Sequence, residues 1–266
     1  MLVALRDGIR IEAAEAERGP AFLCPKCRGT VTLKKGDIVT HHFAHKPPTD
    51  CAWAAGETLR HLTAKGMLRD GLRARGMQAD VEVEVLSTGG DRRADVVAWS
   101  KDGRTQIAFE IQHQPISFEE IGRRTGAYFA AGVPVAWIGL LDQKDWDAGE
   151  PIAGGFFIER YSARPWQRWA HTYGFGQLWF MDEKGALWRG KFSEHKIYVE
   201  SSSWYSQEGE EQSAGGYSRT SRRWKELKLF GPHSIANVDI KIENGKPWNG
   251  KHYRVIGGKR VMLRPM

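Results

Sequence analysis

Apolar positions recur with a helical period across residues 56–75. Leu59, Leu62, Leu68 and Leu72 are separated by three, six and four positions, and Arg and Lys fill many of the positions between them. This spacing gathers the leucines on one face of a helix and leaves the cations on the other. The pattern therefore predicts an amphipathic helix over this range.

Beyond this helix the period of the apolar positions changes to two. From Asp80 to Val85 valine alternates with Asp and Glu, which predicts a half-buried strand. A turn at 87–91 leads to a second strand at 94–99, and a tight turn at 101–104 leads to a third strand at 106–112. The segment therefore predicts three consecutive strands.

A capping box marks the start of a second helix. Ser117 at the predicted N-cap and Glu120 at the third helical position resemble this motif, in which each side chain can bond the backbone amide of the other residue. This helix is predicted to end near Ala131, and the nearly all-apolar run at 135–141 is typical of a fully buried strand. The order helix, three strands, helix, strand predicts an α/β core.

The sequence after residue 150 has a different character. Short aromatic segments alternate with turn dipeptides, which predicts a β-rich region. Residues 201–221 are polar and rich in Gly and Ser, which favours a mobile loop or linker.

The net charge of +7 lies entirely in this last part of the chain. Residues 150–266 contain 19 Lys and Arg against 12 Asp and Glu, together with seven of the eleven tryptophans. Cations release counterions from phosphates and aromatic rings stack on bases, so this mixture favours nucleic-acid binding. Arg222, Arg223 and Trp224 are the candidate contacts here. The alternatives are a Trp-rich β region with a solvated basic face, or a surface that binds a recombination or defence protein.

Hydropathy and cysteine usage indicate the cellular compartment in which the protein is expected. No uncharged apolar stretch approaches the length needed to span a bilayer, and the first residues meet charge too early for a secretory signal. Two of the three cysteines occur as Cys-x-x-Cys, which suits metal binding in a reducing compartment. We therefore expect a cytoplasmic protein that does not bind membranes.

Residues 24–51 contain the pattern of a zinc knuckle. Cys24 and Cys27 are separated by two residues, a spacing that folds into a turn aiming both sulfurs at one tetrahedral ion. His45 is the candidate third ligand, and either His42 or Cys51 completes the set. A segment this short usually needs a metal to fold, so the zinc is predicted to be structural.

Two strand carboxylates suggest a second metal site. Asp95 lies near the start of the second strand, and Glu110 lies in the third with Gln112 on the same face. Adjacent antiparallel strands can bring Asp95 beside Glu110, where the two charges repel unless a cation lies between them. Oxygen ligands of this kind suit Mg²⁺ or Mn²⁺.

The first helix offers further groups to the same site. Glu57, His61 and Lys65 are four residues apart and would share one helix face. Packed against the sheet, this face would add a carboxylate, a proton carrier and a cation. The plain alternative is a solvated stripe of charges, since such pairs are common on helix surfaces.

Several short motifs combine into a family resemblance. They are Cys24-Pro25-Lys26-Cys27, His42-Phe43-Ala44-His45, Glu57 with His61, Arg93-Ala94-Asp95-Val96, Phe109-Glu110-Ile111-Gln112, Ile116-Ser117, Arg124 with Tyr128, and the strand at Trp137-Ile138. In combination, over about residues 20–141, these motifs resemble the competence protein CoiA family. The resemblance implies a restriction-endonuclease-like αβββαβ core of the PD-(D/E)XK type, and a role in DNA processing during natural transformation.

The resemblance also implies roles for individual residues. Asp95 and Glu110 would be metal ligands and Glu57 the helix carboxylate. Gln112 stands where the nuclease pattern usually has lysine; a neutral amide can orient a water by hydrogen bonding but cannot supply positive charge. Lys65 or Arg124 would have to supply that charge.

The sequence thus predicts three regions and one leading function. The regions are a zinc-binding segment at 1–52, a nuclease-like core at 53–150 and a basic aromatic part at 151–266. The function is a metal-dependent DNA nuclease in uptake, recombination or defence, acting on single-stranded or branched DNA, with Arg123 and Arg124 also holding phosphates. The alternative is a non-catalytic DNA-binding adaptor that retains the nuclease scaffold.

Overall fold

The computed structural model describes residues 1–37, 39–54, 57–100 and 102–266. Gly56, the predicted start of the first helix, and Lys101, the predicted start of a turn, lie outside the described residues.

A five-stranded sheet forms the N-terminal part, with the order β2-β1-β3-β4-β5 and antiparallel pairing throughout. Its strands are β1 (Val3–Arg6), β2 (Ile9–Glu12), β3 (Phe22–Leu23), β4 (Thr30–Lys34) and β5 (His42–His45). Phe22, Val31 and Phe43 are buried together in a small core of its own. This core is small for a segment of this length, which is the situation in which a metal adds stability.

The predicted helix, three strands, helix and strand are all present in the central part. They are α1 (Leu59–Ala74), β6 (Ala79–Val85), β7 (Arg92–Trp99), β8 (Gln106–Gln112), α2 (Phe118–Ala130) and β9 (Val135–Leu140). β6, β7 and β8 are antiparallel neighbours, and β9 runs parallel to β8. The predicted αβββαβ order is confirmed.

Helix α1 begins later than its leucine spacing predicts. Thr58 is the N-cap and its hydroxyl accepts a hydrogen bond from the amide of His61, at 3.2 Å, so Glu57 precedes the helix instead of lying within it. Leu62, Leu68 and Leu72 are fully buried against the sheet, as predicted, whereas Leu59 is exposed. Burial of each of the three leucines contributes roughly 1.5–3 kcal/mol.

The C-terminal part adds two helices and eleven strands. They are α3 (Gln143–Asp147), β10 (Glu150–Ile152), β11 (Gly155–Tyr161), α4 (Pro165–Tyr173), β12 (Leu178–Met181), β13 (Leu187–Val199), β14 (Ser202–Tyr205), β15 (Glu211–Ala214), β16 (Tyr217–His233), β17 (Val238–Gly245), β18 (Trp248–Asn249), β19 (Arg254–Val255) and β20 (Gly258–Pro265). The predicted β-rich character of this part is confirmed.

Most of these strands extend the central sheet. β12 pairs in parallel with β9, and the sheet continues through β13, β16, β11 and β10. Helix α1 packs on one face, and α2 and α4 pack on the other, over the buried rings of Trp166 and Trp169. One sheet therefore runs across residue 150, where the sequence suggested a boundary between regions.

The prediction of a mobile loop over residues 201–221 is wrong. β14 and β15 form an antiparallel pair there, and β16 begins at Tyr217 opposite Val199 of β13. Nearly all side chains of this hairpin are exposed on both faces, so it lacks the alternation of apolar and polar residues by which strands are recognised. Backbone hydrogen bonds between neighbouring strands hold it.

The longest described helix has 16 residues. Within the described parts of the chain, no helix is both long and apolar enough to cross a membrane.

Candidate functional site

The site lies where β7 and β8 meet the N-terminal end of α1. Val96 of β7 pairs with Phe109 of β8, and Asp95 and Glu110 are the next residues beyond that pair on the two strands. Asp95 and Glu110 both line one open cleft of about 400 Å³, together with Glu57 and His61. The structure thus brings the helix side and the strand side of the predicted site together.

Three of these side chains form a compact group. Ligand atoms of Glu57, His61 and Asp95 all lie within 4.8 Å of one another. The Nε2 atom of His61 is 3.1 Å from Oδ2 of Asp95, and its Nδ1 atom is 3.5 Å from Oε1 of Glu57. The imidazole therefore bridges the two carboxylates.

The electrostatics of this group favour ion pairs. Burial disfavours charge on Asp95, yet the charges of His61 and Lys65 and a 2.8 Å hydrogen bond from the amide of Ile111 together lower its pKa. Burial likewise opposes the charged form of His61, but Asp95 and Glu57 raise the pKa of His61 to about 10. Without a metal, the imidazole is thus a cation at neutral pH.

Glu110 lines the same cleft but lies outside the compact group. It is buried, and the hydroxyl of Tyr128, itself fully buried, donates a hydrogen bond to its Oε1 atom. Burial and the neighbouring charge of Asp95 raise the pKa of Glu110 to about 7. A second carboxylate close to Asp95 is therefore partly protonated when no cation is present.

The buried side chain of Lys65 lies next to the carboxylates of the site and carries the opposite charge. Its Nζ atom is 2.5 Å from Oε1 of Glu57, 2.6 Å from Oε1 of Glu82 and 3.9 Å from Oδ1 of Asp95. The side chains of Lys65 and Glu82 both have 0% exposure, and Lys65 is not part of the cleft wall. Lys65 thus neutralises the carboxylates from behind.

Glu82 was not predicted as a site residue, because in the alternating pattern of β6 it is one polar residue among others. Its φ is +53°, and the pairing register skips it between Val81 and Val83. Its buried carboxylate accepts hydrogen bonds from the amides of Leu2 (2.8 Å) and Val3 (3.3 Å). Glu82 therefore joins the N-terminal sheet to the charges beneath the site.

Several further side chains line the cleft. The guanidinium of Arg93 is 3.3 Å from Glu57, and the ring of His113 lies 5.0 Å from that of His61. Neither was predicted as a site residue, because arginine in a strand and a histidine at a strand end are common on surfaces. Of the predicted residues, Gln112 lines the cleft while its amide nitrogen donates to the carbonyl of Gln114 at 2.7 Å.

The two arginines of α2 occupy different positions. Arg124 lines the cleft, and its Nε atom donates to Glu120 at 2.6 Å. Arg123 is exposed, pairs with the same carboxylate at 2.9 Å, and is absent from the cleft wall. Of these two arginines, Arg124 is therefore the one placed to face a phosphate in this cleft, which Arg92 and Arg93 also line.

A second group of ligand atoms lies in the N-terminal part. Cys24, Cys27, His45 and Cys51 lie within 4.8 Å of one another. The Sγ atoms of Cys24 and Cys51 are 3.8 Å apart, and two sulfurs bound tetrahedrally to zinc at about 2.3 Å are about 3.8 Å apart. The amide of Gly29 lies 3.4 Å from Sγ of Cys27 and, with His45, lowers the pKa of that thiol to about 6. This group could bind a structural zinc ion.

Strand geometry places His42 apart from this group, which contains Cys51. His42 and His45 are three residues apart on β5, so their side chains leave opposite faces of the strand. The Nδ1 atom of His42 lies 2.9 Å from the carbonyl of Thr40 instead. His42 is therefore outside the group, and Cys51 is the fourth member.

The C-terminal residues predicted to contact nucleic acid lie on β16. Arg222 and Arg223 are exposed, and the guanidinium of Arg223 lies over the ring of Trp224, 4.4 Å from its centroid. Trp224 is half-buried and lines a second cavity of about 340 Å³, which shares Gln112 and His113 with the cleft. Trp224 therefore lies close to the site, whereas the two arginines do not line either cavity.

Comparison with known protein families gives two matches. Residues 7–54 match the N-terminal domain of competence protein CoiA, and residues 57–148 match its nuclease-like domain. Together they cover more than half of the chain. The chain belongs to the competence protein CoiA family. The resemblance seen in the sequence is thus confirmed, and residues 149–266 lie outside both matched ranges.

The relative found among curated proteins is competence protein CoiA of Bacillus subtilis (strain 168), with 30% identity over 118 residues. The match covers 44% of this chain and 31% of the relative, so it spans about a third of the length of that CoiA protein. No solved structure matches the chain. All four members of the Cys3His group fall within the CoiA N-terminal match, and Asp95 and Glu110 fall within the nuclease-like match.

Proposed function

We propose that the chain is a metal-dependent DNA nuclease that acts in DNA uptake, recombination or defence. The observation that carries this proposal is the convergence of Glu57, His61 and Asp95 at an open cleft that Glu110 also lines. Membership of a family with a nuclease-like domain supports the same reaction class.

The donor atoms of the cleft fit a divalent cation. Among the described residues, Oε2 of Glu57 is buried and has no hydrogen-bond partner. Unpaired buried polar atoms of this kind call for a missing partner, and carboxylate oxygens are the ligands that Mg²⁺ and Mn²⁺ prefer. Asp95 and Glu110 would be the principal ligands, with Glu57 assisting. A cation held there would activate water for attack on a phosphodiester and neutralise the charge that develops.

The remaining groups of the cleft have roles set by their chemistry. Gln112 can hydrogen-bond a water and so orient it, whereas Arg124 can face a phosphate of the substrate. His61, bridging two carboxylates, is placed to carry a proton. Lys65 supplies positive charge from behind the carboxylates and keeps their net charge low.

The test is cleavage of single-stranded, duplex and branched DNA by the purified full chain. We expect cutting only when Mg²⁺ or Mn²⁺ is added, and faster cutting of single-stranded or branched DNA than of plain duplex. Calcium is the matched control, because it binds oxygen ligands with looser geometry. Absence of cutting with every substrate in both metals would rule out the nuclease.

One observation favours a second candidate, a DNA-binding adaptor without catalysis. Each carboxylate of the compact group already has a cationic neighbour: Lys65 and Arg93 for Glu57, and His61 for Asp95. A site neutralised in this way can persist without a metal. Strongly salt-dependent DNA binding, combined with no Mn²⁺ binding by calorimetry, would establish the adaptor instead.

We further propose that the Cys3His group holds one structural zinc ion. Four protein ligands leave no open coordination position for chemistry. We expect about one zinc per chain by elemental analysis. The zinc should be lost in the Cys51→Ala variant and retained in His42→Ala, because Cys51 lies in the group and His42 does not. A zinc content that falls in His42→Ala and not in Cys51→Ala would contradict this ligand set.

The basic C-terminal part would strengthen the binding of DNA. Arg123, Arg222 and Arg223 are exposed cations suited to phosphates, and Trp224 offers a ring for stacking. The three regions 1–52, 53–150 and 151–266 would then serve zinc binding, cleavage and substrate binding. Exposed aromatic side chains on the hairpin would alternatively bind a recombination or defence protein, in which case binding would be indifferent to salt.

A further inference from the structure

The cavity beside the site, formed by β8, α3, α4, β11 and β16, is unassigned. It has a volume of about 340 Å³, at the lower end of the range for small-ligand sites, which suits a single nucleotide. Gln112 and His113 belong to its wall and to the wall of the metal-site cleft. A strand lying in the cleft can therefore continue into this cavity without leaving the surface.

The wall of the cavity combines aromatic rings with a cation at its rim. Trp224 is half-buried and faces the cavity, whereas Arg223 covers its ring without belonging to the wall. Arg160 is exposed at the rim, where it can reach a phosphate. This pairing of a stacking ring with a nearby cation is the arrangement that binds single strands.

The carboxylates of the wall offer hydrogen-bond acceptors to a base, and the wall cations Lys144 and Arg164 are already engaged, with Asp142 and with the carbonyl of His113. Asp142 and Asp145 both line the cavity; Asp142 is neutralised by Arg60 and by Lys144, 3.5 Å away. Carboxylate oxygens accept hydrogen bonds from the N–H groups of unpaired bases, such as the exocyclic amino groups or N3–H of thymine, but repel phosphates. The indole N–H of Trp166, another wall residue, is buried and has no partner within the described parts of the chain.

From this arrangement we propose that the cavity is a subsite for one unpaired nucleotide of a DNA strand that passes through the metal-site cleft. The base stacks on Trp224 and the adjoining phosphate meets Arg160. A duplex hides the faces of its bases, so the subsite selects a single-stranded segment or an unpaired end. This inference rests on the proposed nuclease function for the neighbouring cleft.

The test measures binding of fluorescein-labelled DNA to the full chain without added Mg²⁺ or Mn²⁺. Trp224→Ala is expected to weaken binding of a dT oligonucleotide by about 5- to 100-fold, the effect of losing one base–aromatic stack. Binding of duplex should change by less than about twofold. Trp224→Phe should restore most of the affinity, because a phenyl ring also stacks. Trp204→Ala is the matched control, since Trp204 is 50% exposed on the hairpin and lines neither cavity.

An abasic series identifies the contact as stacking. Oligonucleotides with a single abasic position, moved along the strand, should include one that lowers the affinity of the wild type but not that of Trp224→Ala. Arg160→Ala should reduce the slope of log affinity against log salt by about 0.7. Unchanged dT binding by Trp224→Ala, or an equal loss for duplex, would overturn the subsite.

Cleavage by the same variants separates the two proposals. Loss of dT binding in Trp224→Ala with no cleavage by the wild type in Mg²⁺ or Mn²⁺ would leave the subsite standing and remove the nuclease. Cleavage by the wild type, with dT binding unaffected in Trp224→Ala, would leave the nuclease standing and remove the subsite.

Discussion

Replacement of Lys65 by methionine is expected to lower the free energy of unfolding by about 3–5 kcal/mol. The ammonium group has no exposure and contacts the carboxylates of Glu57 and Glu82, the second of which is also fully buried. Glu57 keeps Arg93 and His61 as neighbours, but removal of the cation leaves the buried carboxylate of Glu82 without its ion-pair partner. An unpaired buried charge costs more free energy than the intact ion pair contributes. Urea denaturation followed by circular dichroism measures the effect.

Two variants sharpen this stability test. Lys241→Met is the matched control, because Lys241 is exposed and its ion pair with Asp239, at 3.3 Å, lies at the surface; we expect a change below about 1 kcal/mol. The double variant Lys65→Met with Glu82→Gln should recover part of the loss, since it removes one stranded charge. A loss below about 1 kcal/mol in Lys65→Met would mean that the buried cluster does not depend on its cation.

The central fold could be predicted from the sequence because its elements bury one face each. The leucines of α1 and the apolar run of β9 lie against the sheet, and that burial is what produces a readable period. The hairpin over 201–221 has no buried face, so the sequence of its strands has no apolar period. The continuation of the central sheet past residue 150 was also not predictable, because pairing of β12 with β9 joins residues about 40 positions apart.

The candidate site was predicted less completely than the fold. The spacing of four residues predicted that His61 and Lys65 share one helix face, and the family motifs indicated Asp95 as a site residue. The side chain of Glu82 leaves a backbone with a positive φ, and nothing in an alternating Val and Glu pattern predicts that conformation. In the Cys3His group, the position of Cys51 in place of His42 depends on residues 42–45 forming a strand, which the sequence did not predict.

Replacement of Asp95 by alanine is expected to reduce metal-dependent DNA cleavage at least about a hundredfold, since a lost ligand removes several kcal/mol of transition-state stabilisation. The carboxylate of Asp95 contacts His61 and accepts a hydrogen bond from the amide of Ile111, and Asp95 lies opposite Glu110 on the strand pair. Glu110→Ala should have an effect of similar size. Cleavage rates are measured by single-turnover kinetics in Mn²⁺.

The affinity for DNA distinguishes loss of chemistry from loss of structure. Asp95→Ala removes a negative charge from the cleft, so DNA binding should stay unchanged or become slightly tighter. Glu183→Ala, which removes an exposed carboxylate from the turn between β12 and β13, is the control and should leave both rate and affinity unchanged. If Asp95→Ala cut DNA at the wild-type rate, Asp95 would not hold the metal. The ion pairs around it would then serve only to hold α1 against the sheet, as the adaptor requires.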